Sequence, residues 1–169
     1  TNTAQLATVE FENIPSELIH RVGTKIPVMP STKAVSICQD REKEKKFLRS
    51  HQIPTTDFEI VHDAESLKIA LEKIPGDVIL KTLIDGYDGK GQLIKKDEDT
   101  RRTAAEIWAD FGNHDVIVEK KIQLKSELSV ICARGQDGET IAYDPAENEH
   151  RNHILDISIV PARISKVLS

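Results

Sequence analysis

Apolar positions along the chain recur in two rhythms, the alternation of strands and the wider spacing of helices, and the breaks between them carry capping or turn residues. Ala7-Thr8-Val9-Glu10-Phe11 predicts a short strand with no visible partner, and Pro15-Ser16-Glu17-Leu18 opens a short helix that ends near Gly23. Residues 24–40 read as a connector, with Pro27, Pro30 and Ser31 before a brief apolar turn at Ala34-Val35-Ser36-Ile37. Asp40 caps a charged surface helix running from Arg41 to about Ser50, with Phe47 and Leu48 as its apolar anchors and Pro54 barring continuation.

Phe58-Glu59-Ile60-Val61 predicts a strand, and Asp63 caps a helix whose Leu67, Ala70, Leu71 and Ile74 share one face before Pro75-Gly76 ends it. Val78-Ile79-Leu80-Lys81 predicts a buried strand, Gly86 to Gly91 a loop, and Gln92-Leu93-Ile94 the returning strand. A helix from about Glu98 to Phe111 turns Ala104, Ala105, Ile107, Trp108 and Phe111 to a core and stops at Gly112. Val116 to Glu119 and Leu128 to Ala133 predict two more strands. Gln136-Asp137-Gly138 then turns into Thr140-Ile141-Ala142-Tyr143, Glu147 and Glu149 alternate on a further strand, and Ile154 to Val160 closes the series. Strands paired by tight turns, with helices between them, predict an α+β fold.

Composition narrows what such a fold can do. With 38% hydrophobic and 30% charged residues the chain has the balance of a soluble globular protein, and no apolar run approaches the roughly 20 residues that span a bilayer. The opening TNTAQLATVEF has no basic segment followed by an apolar one, so no membrane partner and a cytoplasmic setting are expected. A net charge of -5 and 4% aromatic residues exclude a non-specific nucleic-acid binder, which needs a cationic surface or a stacking platform. An anion must therefore meet a local cluster of positive groups. The two cysteines, Cys38 and Cys132, fit no metal or disulfide spacing and are expected to be buried, reduced bystanders.

The stretch with most chemistry is Lys81-Thr82-Leu83-Ile84-Asp85-Gly86-Tyr87-Asp88-Gly89-Lys90-Gly91-Gln92. A lysine at a strand end leads into a loop whose glycines let backbone N–H groups approach phosphate oxygens, with Lys90 adding charge. It is not GxxxxGK[ST] and leads into a strand, which excludes a Walker-type site. A mobile hairpin loop is the plainer reading of the same residues. Further on, Glu119-Lys120-Lys121-Ile122 ends a strand that can offer backbone groups to an adenine ring, and Glu127 can accept ribose hydroxyls or be a solvated charge. Arg41 by itself reads as a helix-start residue in a surface ion pair. His150 and His153 have no third ligand near them, so zinc is not expected.

FENIP, QDREKEKKFL, GYDGKGQ, SELSVICAR and ENEH follow in an order and at a spacing that resemble the 5-(carboxyamino)imidazole ribonucleotide synthase family, the ATPase subunit of phosphoribosylaminoimidazole carboxylase, among ATP-grasp enzymes. The resemblance spans nearly the whole chain. It implies an ATP-dependent carbon–nitrogen ligase of purine biosynthesis in which bicarbonate, activated as carboxyphosphate, carboxylates 5-aminoimidazole ribonucleotide with magnesium assisting. Residue by residue, it implies that Arg41 and Lys81 contact ATP and that Gly86, Tyr87, Asp88, Gly89, Lys90, Gly91 and Gln92 close over phosphates and substrates. Glu119, Lys120, Lys121 and Ile122 would hold adenine, Glu127 ribose, and His150 would face the nucleotide. Tyr87, Asp88 and Lys90 would sit at the reacting groups.

The chain departs from the family at His153, which stands at a glycine position, and at Tyr143-Asp144-Pro145, where the family has Y-P-L. The implied organisation is a tail of an amino-terminal domain at 1–30, connecting helices at 31–53, a nucleotide-binding central domain at 54–150 and the start of a carboxy-terminal half at 151–169. The ribonucleotide-binding glycine-rich segment is expected before the chain and the magnesium carboxylates after it, so the chain alone is expected to bind ATP without turnover. A homodimer is implied for the full-length protein. Another ATP-grasp ligase, such as a formate-dependent glycinamide ribonucleotide transformylase or a biotin carboxylase-like protein, or a nucleotide-binding module without turnover, remain as alternatives. Tyr87-Asp88 favours the first reading over the other ligases.

Overall fold

In the computed structural model, residues 3–84, 86, 91–152 and 154–165 are described. They form two compact units, 1–121 and 122–169. The first unit begins with β1 (Ala7–Thr8), α1 (Ser16–Gly23), β2 (Val28–Met29), α2 (Thr32–Cys38) and α3 (Arg41–Ser50). It continues with β3 (Phe58–Val61), α4 (Ala64–Lys73), β4 (Val78–Thr82), β5 (Gln92–Lys95), α5 (Ala104–Asp110) and β6 (Val116–Lys120). The second unit holds β7 (Glu127–Ser129), β8 (Cys132–Arg134), β9 (Thr140–Ala142), β10 (Ala146–Arg151) and β11 (Ile154–Ile159). Helices and largely antiparallel strands together make the α+β fold that the pattern predicts.

The centre of the first unit is a four-stranded antiparallel sheet in the order β3-β6-β4-β5. Alternation divides its residues between two faces. Val61, Val78, Leu80, Val116 and Val118 point into a core with Leu67, Ala70 and Ile74 of the α4 segment and Ile107 and Trp108 of α5. Two capping boxes set where those helices start: the Asp63 carboxylate accepts from the Ser66 N–H at 2.7 Å, and the Thr103 hydroxyl accepts from the Glu106 N–H at 3.2 Å. The other face carries Phe58, Ile60, Ile79, Lys81, Gln92, Ile94, Ile117 and Glu119, which share a side by register.

Several expectations are corrected. The strand at Ala7–Thr8 is shorter than expected and does have a partner, pairing in parallel with Val28–Met29 inside the segment read as a connector. Ala34 to Ile37 belong to a helix because the Ser31 hydroxyl caps it by accepting from the Ala34 N–H at 3.2 Å. Phe47 does not anchor α3 in a core; it is 38% exposed, with its ring against His51. The helix expected from Glu98 starts at Ala104, since Arg101 instead folds back on Asp99 and holds its carboxyl down at about 2. Both cysteines are exposed, Cys38 at the end of α2 and Cys132 in a hairpin strand, which places neither in a core.

In the second unit the strand expected from Leu128 to Ala133 is two strands with different partners. β7 joins a three-stranded sheet in the order β11-β10-β7, while β8 and β9 form a separate hairpin closed by Gly138 at a φ of 91°. One face of the larger sheet is tied by a ladder in which Ser158 donates to Asn148 at 2.8 Å and Asn148 to Ser129 at 3.0 Å. On the opposite face Arg163 donates to Glu147 and to Glu149, at 2.9 and 3.0 Å. Hydrogen bonds from Arg163 hold the Glu147 carboxyl below its ordinary range.

Candidate functional site

The site in the first unit is built on the sheet face opposite the core. Lys81 on β4 and Glu119 on β6 lie diagonally across the pair β4–β6, both pointing off that face. The Lys81 ammonium stands 2.6 Å from one Glu119 oxygen, and the Lys45 ammonium, reaching from α3, 2.6 Å from the other. Lys45 also donates to the Thr55 hydroxyl at 2.7 Å. Glu119 is 5% exposed, the buried charged residue among those described.

Burial alone pushes the Glu119 carboxyl up. Hydrogen bonds from Lys45 and then Lys81, with their charges, outweigh that effect and hold it below the ordinary carboxylate value. Two ammonium groups against one carboxylate leave the trio with an excess positive charge, and Lys81 is its more exposed cation. Half-buried Ile79 and exposed Ile94 lie alongside, an apolar strip next to a cationic corner.

The start of the glycine loop is fastened from α3. Because Asp40 caps that helix, accepting from the Glu42 N–H at 2.9 Å, Arg41 enters at its first turn. Its N–H donates to the Leu83 carbonyl at 2.9 Å, and its guanidinium donates to the carbonyls of Thr82 at 2.8 Å and Gly86 at 3.4 Å. Arg41 therefore grips the backbone at Thr82, Leu83 and Gly86. At the far end Gly91 has a φ of 70°, and a Cβ there would stand 2.9 Å from the Thr82 hydroxyl, so the loop closes on a glycine. Gln92 follows directly as the first residue of β5, opposite Lys81.

Tyr87, Asp88, Gly89 and Lys90 lie outside the described residues, as does His153. At the end of β6, the N–H groups of Lys120 and Lys121 are taken by the carbonyls of Asp57 and Asp77, at 2.9 and 2.8 Å, and Ile122 is 56% exposed. Glu127 and His150 belong to the second unit, where the His150 Nδ1 lies 2.9 Å from a Glu127 oxygen across β7 and β10. The structure thus brings Lys81, Glu119 and Arg41 to one part of the first unit, and Glu127 and His150 together in the second.

Sequence reasoning missed Lys45, Ile79 and Ile94. Lys45 was legible, since it follows Arg41 by one helical turn on the same face of α3. The two isoleucines alternate with core residues on their strands, but the pattern alone does not say that their face is left partly open.

Comparison with known proteins gives the arrangement its family. N5-carboxyaminoimidazole ribonucleotide synthase from Brucella melitensis is 38% identical over 162 residues, which are 96% of this chain and 44% of that protein. The bifunctional purine synthesis protein purC/E of Dictyostelium discoideum is 38% identical over 164 residues, 96% of this chain and 16% of that protein. The crystal structure of N5-carboxyaminoimidazole synthetase from Staphylococcus aureus complexed with ADP superposes with a TM-score of 0.87 at 31% identity, covering 99% of this chain and 44% of that one. The chain spans less than half the length of each of these relatives. The model of the ATP-grasp domain matches residues 46–169, the larger part of the chain, and the chain belongs to the ATP-grasp family.

Proposed function

We propose that this chain is the nucleotide-binding part of an ATP-dependent carbon–nitrogen ligase that carboxylates 5-aminoimidazole ribonucleotide in purine biosynthesis. The observation that carries the reading is the Lys81 ammonium at the root of the glycine loop, held in an excess of positive charge beside an apolar strip. A nucleotide needs that combination, a cation for its phosphates and a flat apolar bed for its base. The named relatives support the choice of reaction.

In this reading Lys81 and Arg41 contact the phosphates of ATP, Arg41 also gripping the backbone at Thr82 and Gly86, and the residues from Gly86 to Gln92 close over the phosphates. The segment from Glu119 to Ile122 borders adenine. Since the N–H groups of Lys120 and Lys121 already have partners and the Lys120 carbonyl accepts from the Thr56 hydroxyl at 2.9 Å, the Lys121 carbonyl and the Ile122 N–H are the groups offered to its edge. Glu127 receives the ribose hydroxyls while His150 steadies its carboxylate. Tyr87, Asp88 and Lys90 serve bicarbonate and the ribonucleotide.

The reaction would run in two displacements. A bicarbonate oxygen attacks the γ-phosphorus and the bond to ADP breaks, leaving carboxyphosphate. The 5-amino nitrogen then attacks the carboxyphosphate carbon, the C–O bond to phosphate breaks, and the nitrogen gives up one proton as phosphate departs. Positive groups around the transferring phosphoryl act by stabilising charge that develops as those bonds change. Magnesium is the ion expected with the nucleotide, but among the described residues no three His, Cys, Asp or Glu side chains gather into a cage for it.

Calorimetric titration of the chain with ATP and ADP tests the reading. Binding is expected, weakened about ten- to a hundredfold in Lys81→Ala because a charge-assisted hydrogen bond is lost. No heat at millimolar nucleotide, or equal affinity in the variant, would overturn the assignment of Lys81.

A further inference from the structure

The proposed nucleotide site gives the backbone around Glu119 a task but not its carboxylate, although burying a charge is costly unless it is well paired. Each Glu119 oxygen is held by a different ammonium at 2.6 Å, so the carboxylate cannot swing without losing a partner. The two cations are unequal. Lys45 is 15% exposed and has a further bond to Thr55, while Lys81 is 31% exposed and has its outer side open to the sheet face. Lys45 therefore anchors the carboxylate from within, and the carboxylate in turn fixes the direction of the Lys81 amine.

A single carboxylate facing a single lysine would also cancel the charge that a phosphate must meet. The second ammonium restores it. An ammonium has three hydrogens to donate, so Lys81 can keep its bond to Glu119 while another hydrogen is offered to an anion. A long lysine side chain otherwise loses considerable rotamer freedom on binding, and prior fixation removes part of that cost.

We propose that Glu119 and Lys45 are positioning residues: the Lys45–Glu119 pair pre-orients the Lys81 ammonium for a nucleotide phosphate while leaving the trio net positive. The inference rests on the reading of Lys81 as a phosphate ligand and assigns Lys45 a role that the sequence did not suggest.

The test measures ADP and adenosine affinities and thermal midpoints of the protein and its variants in parallel. Lys81→Met is the reference arm. It should weaken ADP and leave adenosine unchanged, and if ADP binds as in wild type the phosphate reading itself fails. In Lys45→Met/Glu119→Gln one positive and one negative charge leave together, so the charge around Lys81 is kept but its fixation is lost. The expected result is a ratio of ADP to adenosine affinity lower by about tenfold.

Glu119→Asp keeps the charge and withdraws the carboxylate by one methylene group. It should lower the ratio of ADP to adenosine affinity in the same direction, by a smaller factor, and serves if the double variant does not fold. A normal ratio in whichever of these folds, with Lys81→Met impaired, overturns positioning by Glu119 and leaves the phosphate reading intact. An equal loss for both ligands shows damage to the domain and also overturns it.

Discussion

The two units draw on similar sequence patterns and reach different ends. In the first, the strands of the central sheet and two capped helices bury Val61, Leu67, Leu80, Ile107, Val116 and Val118 to 1% exposure or less. In the second, Ile131 is 70% exposed, Tyr143 63% and Ile154 55%, and no helix occurs among its described residues. Alternation of apolar and polar residues therefore tells which residues share a face and not whether anything covers that face. Where a helix layer is present, the face becomes a core. Among the described residues of the second unit no helix layer is present, and the sheet is held by backbone pairing and by polar ladders such as Ser158-Asn148-Ser129.

The sharpest way to break this contrast is to shorten one leucine in each unit. Leu80, fully buried on β4, should cost about 3 kcal/mol as Leu80→Ala, within the range for a core leucine whose cavity only partly collapses. Leu128, 41% exposed on β7, should cost less than about 1 kcal/mol, because much of its surface already meets water. Trp108, the only tryptophan, is packed in the first core, so its fluorescence during urea unfolding reads the first change directly. Amide exchange in β7 and β10 reads the second. A loss at Leu128 as large as that at Leu80 would mean that the second unit has a cover over its sheet.

The same contrast explains what was legible in the sequence. β3, α4, β4, β5 and β6 lie close to their expected places because alternation, helical spacing and a cap at Asp63 all point to one answer. The late start of α5 was also written in the chain, as Thr103 followed by Glu106, but the charged run from Glu98 to Arg102 reads equally well as a first helical turn. Nothing local separates β7 from β8, since Val130 and Ile131 continue the apolar run and only the change of strand partner ends it. The Lys81 corner was visible as a motif. That Lys45 and Glu119 support it together was not, because their side chains meet through the fold across 74 positions of sequence.

A smaller effect distinguishes two glutamates held below the ordinary carboxylate value, Glu119 in the first unit and Glu147 in the second. A depressed carboxyl stabilises the folded state fully above its unfolded value and loses that contribution as pH falls through its folded value. Between about pH 4.5 and lower, the Trp108-reported stability should therefore fall more steeply for the wild type than for Glu119→Gln, which has no proton to take up there. Glu147→Gln should leave that slope unchanged, since Arg163 and Glu147 meet on the second sheet. Parallel slopes for wild type and Glu119→Gln would show that the buried trio is not what acid breaks.

The smallest change is expected at the pair Glu127–His150. Its side chains are 44% and 36% exposed and 2.9 Å apart, and exposed ion pairs contribute between nothing and about 1 kcal/mol because water competes for both partners. His150→Gln should accordingly move the opening free energy of β7 and β10 amides by less than about 1 kcal/mol in hydrogen exchange. If Glu127 receives the ribose as proposed, affinity for ADP should respond more than stability does, falling a few-fold, because Gln cannot hold the Glu127 carboxylate with the same reach. If stability falls by several kcal/mol instead, the pair is buried in solution and the second unit is not the open sheet described. If neither quantity moves, Glu127 needs no help from His150, and the ribose assignment rests on Glu127 alone.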